Sequence, residues 1–176
     1  MKRTLTTVRF SLTPVAPADA PRIAELCDDR DIAENSARIP HPYTLEDAKR
    51  FIDYAEKAFA SGGEYVFGVR ENGALIACAG VLCGGDSFDL GYWVGAAYRG
   101  RGVATEAARR VVRFAFEGLG AKRITAGHFI NNPASGKVLS NIGFKPTGET
   151  EMIFCQARGR KVETACFALC SEDMRG

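Results

Sequence analysis

The run Tyr98-Arg99-Gly100-Arg101-Gly102-Val103-Ala104-Thr105 places two arginines and two glycines immediately ahead of a segment with helical periodicity. A helix start leaves its first backbone N–H groups without intrahelical partners, with the positive end of the helix dipole behind them. Glycines at 100 and 102 carry no side chain that would hold a phosphate away from those amides. Arg99 and Arg101 add fork-shaped donors. The chemistry this suits is the binding of a pyrophosphate at the carboxyl end of a strand. The run is neither the nucleoside-triphosphate loop, which needs G-x-x-x-x-G-K-[ST], nor the dinucleotide fingerprint G-x-G-x-x-G. A basic surface turn with a glycine-rich tip is the plain alternative. An RNA-binding R-G-R-G segment would need a broader basic patch and exposed stacking aromatics, and the helix that follows at once argues against it.

Other reactive side chains are fewer. None of the six cysteines (Cys27, Cys78, Cys83, Cys155, Cys166, Cys170) forms a C-x-x-C pair, and only His41 and His128 are present to assist, so no metal centre is expected. Four of the thiols sit within ALIACAGVLC and TACFALC, where free cysteine behaves as a small buried apolar residue. Cys166 and Cys170 share a strand face but stand too far apart to bridge within it.

These groups must be positioned by a succession of short elements. Val8–Thr13 reads as a first strand and Ala18–Cys27 as a short helix with Pro21 in its first turn. Asp28–Pro42 reads as polar and irregular, with Pro40 and Pro42 barring regular helix. Thr44 is the N-cap of a second helix with Asp47 three residues on, an apolar stripe of Leu45, Ala48, Ile52, Ala55 and Phe59, and Gly62-Gly63 as its stop. Glu64–Arg70 and Ala74–Cys83 flank Asn72-Gly73, a strong hairpin signal, and Ser87–Gly95 continues the meander. A helix from Val103 to about Glu117 follows, with Ala104, Ala107, Ala108, Val111, Phe114 and Ala115 on its buried face. Lys122–Phe129 is a strand, Pro133–Asn141 a short helix, and the chain from Phe144 a last hairpin turning at Ala157-Arg158-Gly159. Crossovers beside hairpins predict an α/β fold with a mixed sheet in one domain spanning residues 1–176. On strand parity, Phe88 and Tyr92 face one way and Trp93 the other.

With 176 residues, 46% of them hydrophobic, the chain can bury a core, and its composition excludes disorder and repeats. A formal charge of +2 is too mild to argue for nucleic acid or a membrane surface as partner. The uncharged stretch Gly73–Gly85 is too short to span about 30 Å of hydrocarbon, and the amino terminus has no apolar run behind its basic residues. A cytoplasmic protein is expected.

The sequence resembles the GNAT superfamily of acetyl-coenzyme A-dependent N-acyltransferases. Arg99-x-x-Gly102-x-Ala104 matches that family's [RQ]-x-x-G-x-[GA]. The likeness runs in order through Leu90-Gly91-Tyr92-Trp93-Val94, Tyr98–Ala107, Asn132-Pro133-Ala134-Ser135, Val138-Leu139 and Ile142-Gly143-Phe144, with Pro42–Ala48 similar too. It is nearest to the branch of the RimJ/RimL-type ribosomal-protein N-terminal acetyltransferases. The resemblance implies a mixed, mostly antiparallel central sheet with helices on both faces, acetyl-CoA as co-substrate and no metal. By the same resemblance, Gly100–Thr105 (Gly100, Arg101, Gly102, Val103, Ala104, Thr105) with Arg99 hold the pyrophosphate. The backbone at Trp93, Val94 and Gly95 pairs with pantetheine, Asn132 and Ser135 stand beside the sulfur, and Lys137 meets a phosphate or solvent. The tyrosine that serves many members as acid is replaced here by Leu139, which leaves Ser135 or a water to hydrogen-bond the leaving sulfur. Candidates for the base are Glu149, Glu163, Glu34, His128 and a water chain, with Glu149 carried forward. Glu34, Tyr43 and Tyr92 are expected around the acceptor.

The implied activity is transfer of acetyl to a primary amine, with a protein N-terminal α-amine suggested by the branch. A small-molecule amine acceptor, or a coenzyme-binding sensor without turnover, is the alternative. Monomer and homodimer are both open, and an unpaired last strand is one conceivable interface.

Overall fold

A computed structural model describes residues 4–175. Its strands are β1 (Leu5–Thr6), β2 (Ser11–Pro14), β3 (Glu64–Glu71), β4 (Ala74–Gly84), β5 (Ser87–Val94), β6 (Arg123–Phe129), β7 (Lys145–Cys155) and β8 (Arg160–Cys170). The helices are α1 (Ala20–Cys27), α2 (Arg30–Glu34), α3 (Leu45–Ser61), α4 (Val103–Leu119) and α5 (Pro133–Ile142). The strands form one sheet in the order β1-β2-β3-β4-β5-β6-β8-β7, antiparallel throughout except for β5 against β6. The mixed, mostly antiparallel sheet expected from the sequence is present.

Local chemistry explains most boundaries. Thr44 and Asp47 close a reciprocal capping box at the start of α3, and Gly62, at φ +76°, ends the helix in the left-handed conformation. Asn72 and Gly73 both take positive φ, which matches the twist of the β3–β4 hairpin. Helix α4 buries Val103, Ala107, Ala108, Val111, Val112, Phe114 and Ala115 against one face of the sheet, where Ile76, Ala79, Val81, Phe88, Leu90 and Ile124 meet it. On the other face α1 and α3 pack Ile23, Leu26, Ala48, Ile52 and Ala55 over β3 and β4.

Four expectations need correction. The first strand is two short ones separated by a turn in which the Thr7 N–H donates to Phe10 O (2.9 Å), and Val8 points into solvent at 99% exposure. Asp28–Pro42 is not wholly irregular. Asp29 accepts from the N–H groups of Asp31 and Ile32 and so caps α2, burying Ile32 and Ala33. Leu45 and Ala104 are not in the core; Leu45 is exposed and Ala104 half-buried. Finally, the last strand is not an unpaired edge. β8, which buries Val162, Thr164, Phe167 and Leu169, lies between β6 and β7, and the largely exposed β7 is the edge.

Candidate active site

Strands β5 and β6 are in register only over Ser87–Asp89 and Arg123–Thr125. Thr125 Oγ1 pins this closed end, donating to Phe88 O (3.2 Å) and Asp89 Oδ1 (3.0 Å). Beyond it the strands part, each held by its outer neighbour: β5 by β4 through Val94, and β6 by β8 through Phe129. A V-shaped slot therefore opens inside the sheet. The Gly95 N–H donates to Ile76 O on β4 (3.0 Å). Since successive residues of an extended strand direct their backbone groups to opposite sides, Trp93 and Gly95 serve β4 while Tyr92 and Val94 present N–H and C=O to the slot.

The glycine turn lies just past the open end of β5. Gly100 and Gly102 have φ of +72° and +75°, which suits glycine alone without strain, and nothing stands within 4 Å of where a Gly100 side chain would begin. Gly102 is the N-cap of α4, and the first helical bond is from Glu106 N–H to Gly102 O (3.0 Å). Val103 is buried; Ala104 and Thr105 are half-buried. An unobstructed Gly100, unspent amides at a 17-residue helix start and an unpaired strand edge fit a ligand carrying a pyrophosphate and an amide-bearing arm.

The arginines are not idle donors. Arg99 donates from Nη2 to Asp29 (2.7 Å), from Nη1 to Asp31 (2.8 Å) and from Nε to Val94 O (3.3 Å). Arg101 pairs with Glu71 at 2.8 Å. Arg9, which no sequence spacing singles out, clasps the turn from the far edge of the sheet. Its Nη1 donates to Arg101 O (2.9 Å), and its Nε and backbone N–H donate to Glu106 (2.7 and 3.0 Å). Partial burial opposes charge on Glu106, but hydrogen bonds from Thr7 and Arg9 outweigh it and hold the carboxyl below its ordinary value.

On the α5 side of the slot, Asn132 caps that helix by accepting from the Ser135 N–H (3.4 Å). Tyr92, projecting from β5, meets Ser135 with its hydroxyl at 2.8 Å from Oγ and 3.3 Å from the carbonyl oxygen. Burial pushes the Tyr92 hydroxyl above its ordinary pKa, partly offset by the Ser135 bond. Lys137 is exposed on the outer side of α5. Leu139 is fully buried. His128 has Nδ1 engaged with Phe129 O (2.8 Å), and its ring packs under Gly136, the atom nearest a Gly136 side chain being Nε2.

Across the open end of the V runs the segment containing α2. One end is tied to Arg99. At the other, Arg158 Nε donates to Glu34 O (2.7 Å), the Cys155 thiol to Ser36 O (3.2 Å) and the Gln156 N–H to Ala37 O (3.1 Å). Glu34 is half-buried on this strap. Tyr43 is buried, 8% exposed, within the core of α1 and α3. Glu149 and Glu163 are exposed on β7 and β8, Glu149 near enough to Cys166 to help raise its thiol after burial and Glu151. Among the described residues, no group of three His, Cys, Asp or Glu is arranged to hold a metal ion, and no helix is long and apolar enough to cross a membrane. A surface hollow of about 620 Å³, lined by Phe59, Tyr65, Phe114 and Leu119, sits at the C-terminal end of α4, away from the turn.

The family profile described as "Acetyltransferase (GNAT) domain" matches residues 9–145, a span that includes the turn, the slot and all of α5. The chain belongs to the GNAT acetyltransferase family. The Bacillus subtilis protein named "Probable N-acetyltransferase YjcK" is 31% identical over 129 residues, covering 69% of this chain and 71% of that one. Among solved structures, Mycobacterium smegmatis RimJ, in complex with a CoA disulfide, superposes with a TM-score of 0.89 at 18% identity, covering 99% of this chain and 90% of that one. The ribosomal-protein-S5-alanine acetyltransferase of Vibrio fischeri gives 0.83 at 17% identity, covering 97% and 98%. As a GNAT acetyltransferase the chain uses acetyl-CoA as acyl donor. Sequence reasoning missed two parts of this site. The α2 strap is announced only by Asp29 as an N-cap, and Arg9 by nothing local.

Proposed function

We propose that this acetyltransferase acylates the N-terminal α-amine of a peptide or protein. The observation that carries the reading is the sheet face leading to the slot on the strap side. The cover of helices α1 and α3 reaches only Trp93 and Gly95 at the open end of β5, and beyond β5 the face of β6 and β8 carries Thr125, Gly127, Cys166 and Ala168, none fully buried. An uncovered trough floored by small residues suits an extended chain end better than a compact amine, which is ordinarily enclosed. The ribosomal-protein acetyltransferases among the structural neighbours agree with this choice.

Acetyl-CoA supplies a thioester, already activated toward an amine. The chain's own work is to bind, orient and manage protons. The amides of Gly100–Thr105 hold the pyrophosphate. The backbone of Tyr92 and Val94 takes the pantetheine arm as an added strand, and the Val94 N–H faces the oxygen on which negative charge develops. Glu149 and its neighbour Glu151, both beside Cys166, draw an ammonium toward the trough and accept its proton directly or through water. Ser135, at the start of α5, donates to the departing sulfur. The Tyr92 hydroxyl, 2.8 Å from Ser135 Oγ, can donate there and leave the serine's own hydrogen for that task.

Calorimetric titration with acetyl-CoA, followed by thiol release with a panel of peptides and small amines, tests this. Turnover on peptide N-termini with little on polyamines, amino acids or aminoglycosides is expected. Turnover confined to small amines would replace the peptide acceptor, and binding without turnover on any amine would remove the catalytic assignments.

A further inference from the structure

We propose that Arg99 is not a phosphate ligand but a positioning residue: it ties the α2 strap across the mouth of the slot and neutralises two carboxylates that would otherwise face the coenzyme's phosphates. The proposal rests on the coenzyme reading of the glycine turn. Its evidence is how the guanidinium is spent. Nη1 and Nη2 each bond a different aspartate and Nε bonds the Val94 carbonyl, so three of the five N–H donors, one on each nitrogen, are aimed at protein. Asp29 divides its carboxylate in the same way. Oδ1 caps α2 through Asp31 N–H (2.8 Å) and Ile32 N–H (3.4 Å), and Oδ2 meets Arg99.

Residue 99 therefore joins three things: the end of β5, the turn that begins at Gly100, and the first turn of the strap. The opposite end of the strap is fastened independently, to Arg158 and Cys155 on the β7–β8 hairpin. Releasing Arg99 would free one end and leave the other. It would also leave Asp29 and Asp31, two negative charges, beside a site built for pyrophosphate. The two consequences are separable, since neutral asparagine at 29 still caps a helix.

Three variants make the separation: Arg99→Gln, Asp29→Asn/Asp31→Asn, and the combination of all three. CoA affinity is read by calorimetry at low salt, and strap mobility by hydrogen exchange of residues 29–37. Arg99→Gln should bind CoA roughly 5-fold more weakly and exchange faster in the strap, the size expected when two partly exposed charges lose their partner. Adding the two asparagines should return CoA affinity to within about 2-fold of the unaltered chain, yet leave the strap exchanging fast. The asparagine pair alone should loosen the strap without weakening CoA. If the combined variant stays as weak as Arg99→Gln, Arg99 contacts phosphate directly and the proposal is wrong. Unchanged strap exchange in Arg99→Gln overturns it as well. Failure of the unaltered chain to bind CoA would instead sink the coenzyme reading, with the tie still judged by exchange.

Discussion

Two hydroxyls facing each other across the slot, Tyr92 and Ser135, stand where this chain lacks the family's usual tyrosine, with their oxygens 2.8 Å apart and either able to donate. Burial raises the Tyr92 pKa, so the phenol keeps its proton below its ordinary pKa of about 10 and the contact survives through the neutral range in which activity is measured. Tyr92→Phe and Ser135→Ala should each lower kcat by about 10-fold, the scale of one hydrogen bond, with the KM for acetyl-CoA little changed. Combined, they should cost no more than Ser135→Ala alone, because both act through one hydrogen. Additive losses would show that Tyr92 acts elsewhere. Ser135 was singled out by the family resemblance at its N-x-x-S positions, whereas its contact with Tyr92 was not legible: parity gave the face of Tyr92 but no distance. Arg9 was wholly illegible, since 97 positions separate it from Glu106 and only the folded sheet brings them together. The thiols give a second prediction at this scale. Burial pushes Cys27 up to about 12 and Cys78 well above its ordinary value, so the thiolate needed for reaction is scarce at pH 8, roughly one part in 10,000 for Cys27. In the native protein a disulfide reagent should reach the half-buried Cys83, Cys166 and Cys170 and spare Cys27, Cys78 and Cys155 until unfolding. Rapid labelling of all six would contradict the burial described here.

Helix α5 carries Ser135 and is seated by one contact that only glycine permits. A Cβ at Gly136 would lie 2.6 Å from His128 Nε2, and the ring cannot easily retreat, being bonded to Phe129 O and packed against Phe167. Gly136→Ala should therefore lift the first turn of α5, lowering both kcat and Tm, at a cost of about 1–3 kcal/mol as an overpacked position. His128→Ala in the same chain should recover much of both. Recovery of Tm without kcat would mean that His128 does chemistry as well as support. The elements that were readable from sequence are those with a strong period or cap: α3 from Thr44 and Asp47, α4 from its alanine-rich stripe, the β3–β4 turn from Asn72-Gly73. The strap was not, because five residues of helix show no period and its hold on the fold comes from Arg99, Arg158 and Cys155, all distant in sequence. Strand order beyond β6 was also hidden, since a hairpin can return on either side, and the inner place of β8 shows only in its buried Val162, Thr164, Phe167 and Leu169 beside the largely exposed β7.

At the scale of the whole molecule the sheet is two parts joined by three residue pairs, with β1–β5 on one side and β6–β8 on the other. Helix α4, the Tyr92–Ser135 contact and the strap span the gap. A ligand seated on the glycine turn with its arm in the slot would join the two parts directly, so its binding should appear as stability. Occupancy at 100 times the dissociation constant contributes about 2.7 kcal/mol, which for a chain of this length corresponds to a Tm rise of roughly 5–10 °C. Pantetheine, lacking the pyrophosphate, should give far less. The same event has a finer signature in amide exchange. Because Gly95 N–H is already given to β4, alternation leaves Tyr92 and Val94 to be protected by the bound arm, while Trp93 keeps the exchange rate its β4 partner sets. Protection at Trp93, or equal protection at all three, would mean that the arm does not lie along β5 as an added strand. A Tm rise without protection at Tyr92 and Val94 would place the stabilisation at the turn alone, with the slot left open.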